Sequence, residues 1–248
     1  GKYTMLFFEG ARGISSARCV TAMLERSRLV YQAAGESNFH IFYQLLAGVR
    51  NGHFTSHGLL RDAHPHDFRY LRAYAGDWDE DVALCGFETT SKAFDTLDYD
   101  DSKLQRTTLF NLLVGILHLG NISFEDDGAG GSSISHSSSQ AYERARDSLG
   151  IVDLATALTC VRVQAGGTRS SSCEVPRTPL EARDSCDALA KRVYTALFAH
   201  VVDNLNALTG APALPKTFAK QVRSPWIGLL DIFGFETFRT NSLEQLLI

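Results

Sequence analysis

Apolar residues cluster in Tyr3 to Phe8 and again in Ala17 to Leu24, with Gly10 and Gly13 between them, which predicts two strands joined by a glycine turn. From Glu36 the period becomes helical. Phe39, Phe42, Leu45, Leu46 and Val49 fall on one face, and Ser37 or Asn38 stands where an N-cap belongs. Residues 50–80 are rich in Gly, His and Asp and are expected to form loop with short helical pieces, followed by a helix over Thr89 to Leu97. Asp101 or Ser102 is placed to cap a longer apolar helix that runs to Leu119, with Gly120 just past its end as the C′ residue.

Thr178-Pro179-Leu180-Glu181 is a strong helix start, with Thr as N-cap, Pro at N1 and Glu at N3 reaching back to the cap. The helix it opens is expected to reach Leu208, a length of ~45 Å at 1.5 Å per residue. Cys186, Leu189, Val193, Leu197 and Val201 lie on one side, with Ala190, Tyr194, Phe198 and Val202 alongside, so the helix should pack against a core. Two stretches lack apolar periodicity and are expected to be flexible. Glu125 to Gln140 holds Gly128, Gly130, Gly131 and six serines; Gln164 to Arg177 holds Gly166, Gly167 and Ser170 to Ser172.

At 248 residues the chain is long enough for one large domain or two small ones, and it shows no internal repeat and no clear boundary. A net charge of −4 argues against a polybasic nucleic-acid binder. The longest apolar run, Leu109 to Leu119, contains Asn111 and His118 and falls short of the ~18 residues of a membrane span. Five scattered cysteines form no CxxC, so neither a disulfide scaffold nor a zinc site is expected, and a reducing compartment is the simplest reading. The chain does not begin with Met and shows no secretory pattern, while Asn241 to Ile248 reads as a helix start without a C-cap. Both ends therefore read as interruptions of a longer chain.

The most informative chemistry lies in Trp226 to Asp231 and the following Ile232 to Glu236. An apolar strand buried in a parallel sheet and ending in a carboxylate is what a nucleoside triphosphatase places beside its phosphate site. Asp231 would reach water bound to Mg²⁺, the Gly234 amide could approach a γ-phosphate, and Glu236 could help position the attacking water. On spacing alone a structural role is favoured, because many buried strands end in Asp at a turn. No GxxxxGK[ST] is present, and Gly1-Lys2 is not the tail of one. HExxH and GxSxG are also absent. His64 and His66 read as solvated loop residues rather than metal ligands.

Several segments resemble one family. Glu36 to Gly48 (ESNFHIFYQLLAG) closely resembles the GERNFHIFYQLLAG segment of myosin motor domains, and Leu24 to Val30 is similar to their LEKSRVV. Ile116 to Ile122 matches ILHLGNI, Asp187 to Lys191 matches DALAK, Leu230 to Glu236 matches the switch II sequence LDIFGFE, and Asn241 to Leu246 resembles the relay-helix start NSFEQL. The motifs stand in family order. The resemblance implies an α/β P-loop NTPase-type motor fold, of which residues 1–248 would be a partial motor domain truncated at both ends. This segment would be mostly α-helical, largely the upper 50-kDa subdomain, with a few strands of the central sheet at its two ends. Gly1-Lys2 would be the last two residues of switch I (NSSRFGK). The arginine of that motif, which in the family pairs with the glutamate standing here at Glu236, would precede Gly1, and the P-loop would lie well upstream.

The resemblance also implies ATP and Mg²⁺ as cofactors, with Asp231 near the metal through water and Gly234 and Glu236 as catalytic groups. It implies F-actin as a partner, and a light chain or calmodulin bound through regions outside residues 1–248. No nucleic acid, no membrane segment and a cytoplasmic, actin-cytoskeletal location are expected. The loop from Arg162 to Arg177 resembles the cardiomyopathy loop and Glu125 to Gln140 resembles loop 4, which makes Arg162, Arg169, Ser171 and Arg177 actin-binding candidates. Ser171 stands 16 positions before Asp187, where myosins place an acidic or phosphorylatable residue, and a phosphate there would add about −1.5 to −2 charges. Two departures stand out: Ser37 replaces the family's arginine, and Leu243 its phenylalanine at the relay start. The intact protein is expected to be an actin-activated ATPase. The isolated chain, without a P-loop, is expected to be inactive and poorly soluble, with open sheet edges at the Tyr3 and Trp226 strands. The alternative is a non-catalytic actin-binding remnant of a myosin head.

Overall fold

A computed structural model describes residues 1–10, 13–33, 35–56, 59, 61–99, 105–164, 172–211 and 225–232. Among the described residues helices dominate, and the few strands fall into three small sheets. The chain divides into two units, one formed by Gly1–Arg26, Thr90–Arg106 and Thr195–Ile248, the other by Ser27–Thr89 and Thr107–Tyr194.

The first unit is built on a three-stranded sheet of β1 (Lys2–Phe8), β2 (Ile14–Thr21) and β7 (Trp226–Asp231), in the order β2-β1-β7. The expectation of a parallel sheet is corrected: both pairings are antiparallel. The β1–β2 connection is too short for the crossover a parallel pair needs, and β7 enters against β1 with Trp226 opposite Phe7. β1 is therefore the central strand rather than an open edge. It buries Met5 and Phe7 on one face, as period two requires. The expected burial of β7 is also corrected. All six of its residues are exposed, so among the described residues its continuous apolar run lies at the surface rather than in a core. In the same unit Tyr99 is fully buried, packs on Phe94 at 4.6 Å between ring centroids, and accepts a hydrogen bond from Asn204.

Much of the core of the second unit comes from α1 (His40–Arg50) and α3 (Arg106–Asn121). Phe42, Leu45, Leu46 and Val49 are buried, as their spacing predicts. The capping expectation needs correction, because Phe39 occupies the N-cap position without a side-chain cap. Asn38 is 1% exposed, and its amide donates to the carbonyls of Leu29 (2.8 Å) and Tyr70 (2.9 Å). Both carbonyls belong to buried residues of short 3-10 segments, and a donor for them there outweighs a cap at the helix end.

α2 (Glu80–Thr96) begins nine residues before the expected Thr89. The missed start signal is Asp79, whose carboxylate accepts from the Val82 N–H at 3.0 Å, followed by Glu80 and Asp81 in the first turn. The proposed caps Asp101 and Ser102 lie outside the described residues, and α3 begins at Arg106. Gly120 is inside that helix rather than past its end. A β-carbon there would stand 2.8 Å from the Tyr70 ring, so close helix-to-ring packing accounts for the glycine. α3 is buried nearly all round from Leu113 to Gly120, as befits a central helix.

The stretch expected to be a mobile loop, Glu125 to Gln140, is ordered. It forms a hairpin of β3 (Phe124–Asp126) and β4 (Ser132–Ile134), a short 3-10 turn and the start of α4 (Ser139–Leu149). Asp126 accepts from the Gly128 N–H and Asp127 from those of Ala129 and Gly131, while Gly128 and Gly130 take positive φ values of 77° and 85°. Glycine here supplies a specific turn rather than slack. The serines are engaged as well: Ser138 Oγ accepts from the Ser123 N–H and lies 3.0 Å from the Ser135 carbonyl.

After α5 (Leu154–Thr159) and the ribbon of β5 (Cys160–Gln164) with β6 (Ser172–Pro176), the chain enters α6 (Pro179–Leu208), 30 residues long. Its start is the expected capping box. The Glu181 carboxylate accepts from the Thr178 N–H (2.8 Å) and hydroxyl (2.9 Å), and these bonds hold its pKa below the usual value. The buried stripe is Ala182, Cys186, Ala190, Tyr194 and Leu197, while Leu189 and Val193 are only half-buried. Small residues in that stripe let α6 approach closely. Cys186 Sγ lies 3.1 Å from the Leu119 carbonyl, and burial pushes its thiol up to about 12.

Asp187 is the polar hub of the second unit. Arg69 donates to it through both Nη atoms (2.7 and 2.9 Å) and the Tyr70 hydroxyl donates at 2.7 Å. The Arg69 N–H donates in turn to Asn121, and Asn121 to the Asp67 carbonyl, tying α6, α3 and the 3-10 segment Arg69–Asp77 together. The bonds to Asp187 raise the Arg69 pKa, and burial raises that of Tyr70.

Candidate functional site

Two places carry the residues singled out from the sequence. The first is the end of the three-stranded sheet. The register sets Lys2, the first residue of β1, opposite Asp231, the last of β7, with Lys2 Nζ 3.8 Å from Asp231 Oδ2. Both side chains are largely exposed, 56% and 77%, so this pair holds the carboxylate only loosely and leaves its lone pairs open to water. Ile232 continues beside Gly1, whose terminal amine donates to the Ala22 carbonyl at 2.8 Å. The opening Gly1-Lys2 and the closing Leu230-Asp231 are thus brought side by side although 228 positions separate Lys2 and Leu230 in the chain. Gly234 and Glu236 lie outside the described residues.

Asp231 suits one kind of cation contact. Among the described residues no group of three His, Cys, Asp or Glu side chains converges as a metal cage. A single exposed carboxylate at a strand end is an acceptor for the water of a hydrated cation such as Mg²⁺, which keeps several of its waters. His64 and His66 stack on each other at 4.5 Å, and partial burial together with the neighbouring His66 lowers the His64 pKa.

The second place is the β5–β6 ribbon with its neighbours. Arg162 donates to Glu174 across the ribbon at 3.1 Å, and both are exposed. On the other face Val161 stands opposite Val175 and Val163 opposite Cys173, an apolar strip in water. Alternation in Cys160 to Gln164 could have revealed that strip; the Gly- and Ser-rich composition of the following residues masked it. Arg177 is committed elsewhere. One of its nitrogens lies within 3.0 Å of the carbonyls of Ala157, Leu158 and Cys160, so it closes the C-terminal end of α5. Arg169 and Ser171 lie outside the described residues. The turn of the β3–β4 hairpin meets the base of the ribbon: a β-carbon on Gly131 would come 2.9 Å from Pro176. Gly131 of the hairpin turn and Pro176 at the base of the ribbon are therefore neighbours within the second unit.

The sequence matches the family model of the myosin head (motor domain) over residues 1–248. It is 35% identical over 257 residues to the myosin ID heavy chain of Dictyostelium discoideum, covering 100% of this chain and 22% of that protein. It is 34% identical over 254 residues to the myosin IC heavy chain of Acanthamoeba castellanii, with 100% and 19% covered. To unconventional myosin-VI of Homo sapiens it is 31% identical over 281 residues, with 100% and 21% covered. The chain spans about a fifth of the length of these relatives. No helix among the described residues is long and apolar enough to cross a membrane.

Proposed function

The chain belongs to the myosin head (motor domain) family, and from that premise we propose that it forms part of an actin-based motor that couples ATP hydrolysis to movement on F-actin. The observation that carries this reading is the family match over residues 1–248, within which Asp231 stands at the end of a strand with an exposed carboxylate. With Mg²⁺ and ATP bound, Asp231 would hold the water shell of the metal, the Gly234 amide would serve the γ-phosphate, and Glu236 would orient the attacking water. Bound Mg²⁺ supplies neutralisation of phosphate charge, which is most of what a phosphoryl-transfer site needs. The remaining phosphate-binding groups, the light-chain or calmodulin site and the cargo-binding parts belong to regions beyond residues 1–248, and the motor works in the cytoplasm on the actin cytoskeleton.

On this reading the ribbon faces F-actin. The exposed strip of Val161, Val163 and Val175 supports apolar contact, with Arg162 and Arg169 as cations for an acidic partner and Arg177 at the base. Ser171 is the phosphorylation candidate of the same loop. A phosphate there alters the charge presented to actin, so Ser171→Ala and Ser171→Glu motors should differ in actin-activated rate, and equal rates would remove this role.

The reading is tested with the motor that contains this chain. It should sediment with F-actin without nucleotide and be released by Mg·ATP. Binding that ATP leaves unchanged would instead favour an actin-binding remnant that has lost nucleotide chemistry, and no binding at all would remove both.

A further inference from the structure

Strand β2 lies at the edge of its sheet, and every second residue turns its N–H and C=O outward, where they would invite another strand. That edge is met by the C-terminal end of α6. Asn206 is 7% exposed; its Oδ1 accepts from the Cys19 N–H at 2.7 Å and its Nδ2 donates to the Cys19 carbonyl at 2.8 Å. These are the two bonds that a residue of a neighbouring antiparallel strand would make. Two positions along, on the same outward side, Thr209 Oγ1 lies 2.7 Å from the Ala17 carbonyl and 2.8 Å from Leu205, with one proton to share between them. A carboxamide carries the donor and acceptor of a peptide group in one plane, which neither a carboxylate nor an aliphatic chain of similar size does.

We propose that Asn206, with Thr209, is a strand-mimicking latch that positions the β2-β1-β7 sheet on α6, and that this latch couples actin binding to nucleotide turnover. The second half rests on the functional reading given above. Its basis is connectivity. α6 starts two residues after the ribbon strand β6 and runs unbroken to Leu208. The Asn206 bonds are made to backbone, so movement of the end of α6 acts on β2 without passing through compliant side-chain packing. From β2 the ladder leads to β1 and then to β7, whose last residue is Asp231. Asn206 touches neither nucleotide nor actin; it is a positioning residue.

The test uses the motor that contains this chain, with Asn206→Asp and Asn206→Leu. Asn206→Asp keeps an acceptor for the Cys19 N–H but sets a carboxylate against the Cys19 carbonyl, and Asn206→Leu removes both bonds. Faster hydrogen exchange at the Cys19 amide is expected in both. The ratio of actin-activated to basal ATPase should fall about five- to tenfold, with the basal rate and the half-saturating actin concentration within about twofold of the parent. Thr209→Val, which removes the hydroxyl contact to Ala17 but leaves both Cys19 bonds, should give a smaller fall in the same ratio and keeps the test alive if Asn206→Leu does not fold. An unchanged ratio in Asn206→Asp, despite faster exchange at Cys19, would overturn the coupling. A parallel fall of basal and activated rates would reduce Asn206 to a structural residue. If the parent motor itself shows no actin activation, the functional reading fails first and the coupling fails with it.

Discussion

Replacing Asp187 by alanine should destabilise the second unit by about 3 kcal/mol, the low end of the range for breaking a buried ion pair, because Arg69 keeps about a third of its side chain in water. The carboxylate accepts three hydrogen bonds, two from Arg69 and one from the deeply buried Tyr70 hydroxyl. Alanine leaves the buried Tyr70 hydroxyl without its acceptor and the guanidinium with only partial hydration in exchange. For a unit of this size the loss corresponds to a fall in melting temperature of roughly 6–12 °C. Asp187→Asn, which keeps the shape and one acceptor, should lose clearly less, and Tyr70→Phe about 1 kcal/mol. Thermal unfolding and hydrogen exchange over residues 182–194 would measure the series. An alanine variant within 1 kcal/mol of the parent would show that the network is not what seats α6.

The second large effect is chemical. Asp231→Asn in the complete motor should lower ATP turnover by about 10²- to 10³-fold, the usual loss when one preorganised charge-stabilising group is removed. The amide preserves the size of the side chain but removes the negative charge that holds a hydrated cation. Asp231 lies at an exposed strand end, so the substitution leaves the core untouched and binding to F-actin without nucleotide should persist. Release by Mg·ATP should be lost together with turnover. Single-turnover measurements would separate the chemical step from product release. Turnover within threefold of the parent would remove Asp231 from the catalytic site.

Local signals were legible wherever a few neighbouring residues decide the outcome. The capping box at Thr178 to Glu181 is one such case, because its bonds join residues three apart and depend on nothing else in the chain. The apolar face of α1 is another, read from spacing and found buried. The hairpin over residues 124–134 is not legible in composition, which reports the conformations that glycine and serine permit, while order depends on what they bond to. Asp126 and Asp127 hold that turn through hydrogen bonds that the sequence allows but does not require. Asn38 shows the same limit. Its residue type suits an N-cap, yet the buried carbonyls of Leu29 and Tyr70, which need its amide, become neighbours only after the chain folds.

By itself the sequence determined the family, the order of its motifs, the helix that begins at Pro179 and the candidate carboxylate at Asp231, since each is carried by residue types at short, fixed spacing. Only the tertiary structure decided strand direction, with β1 central between two antiparallel neighbours, and the pairing of Lys2 with Asp231 across nearly the whole length of the chain. It also decided that Gly120 serves a ring contact rather than a helix end, that Arg177 closes α5, and that Asn206 takes the place of a strand at the edge of β2. The physical reason is common to all of these. Hydrogen-bond demand and close packing are settled between groups that meet in space, and residues 19 and 206 carry no local mark of the partner each will find.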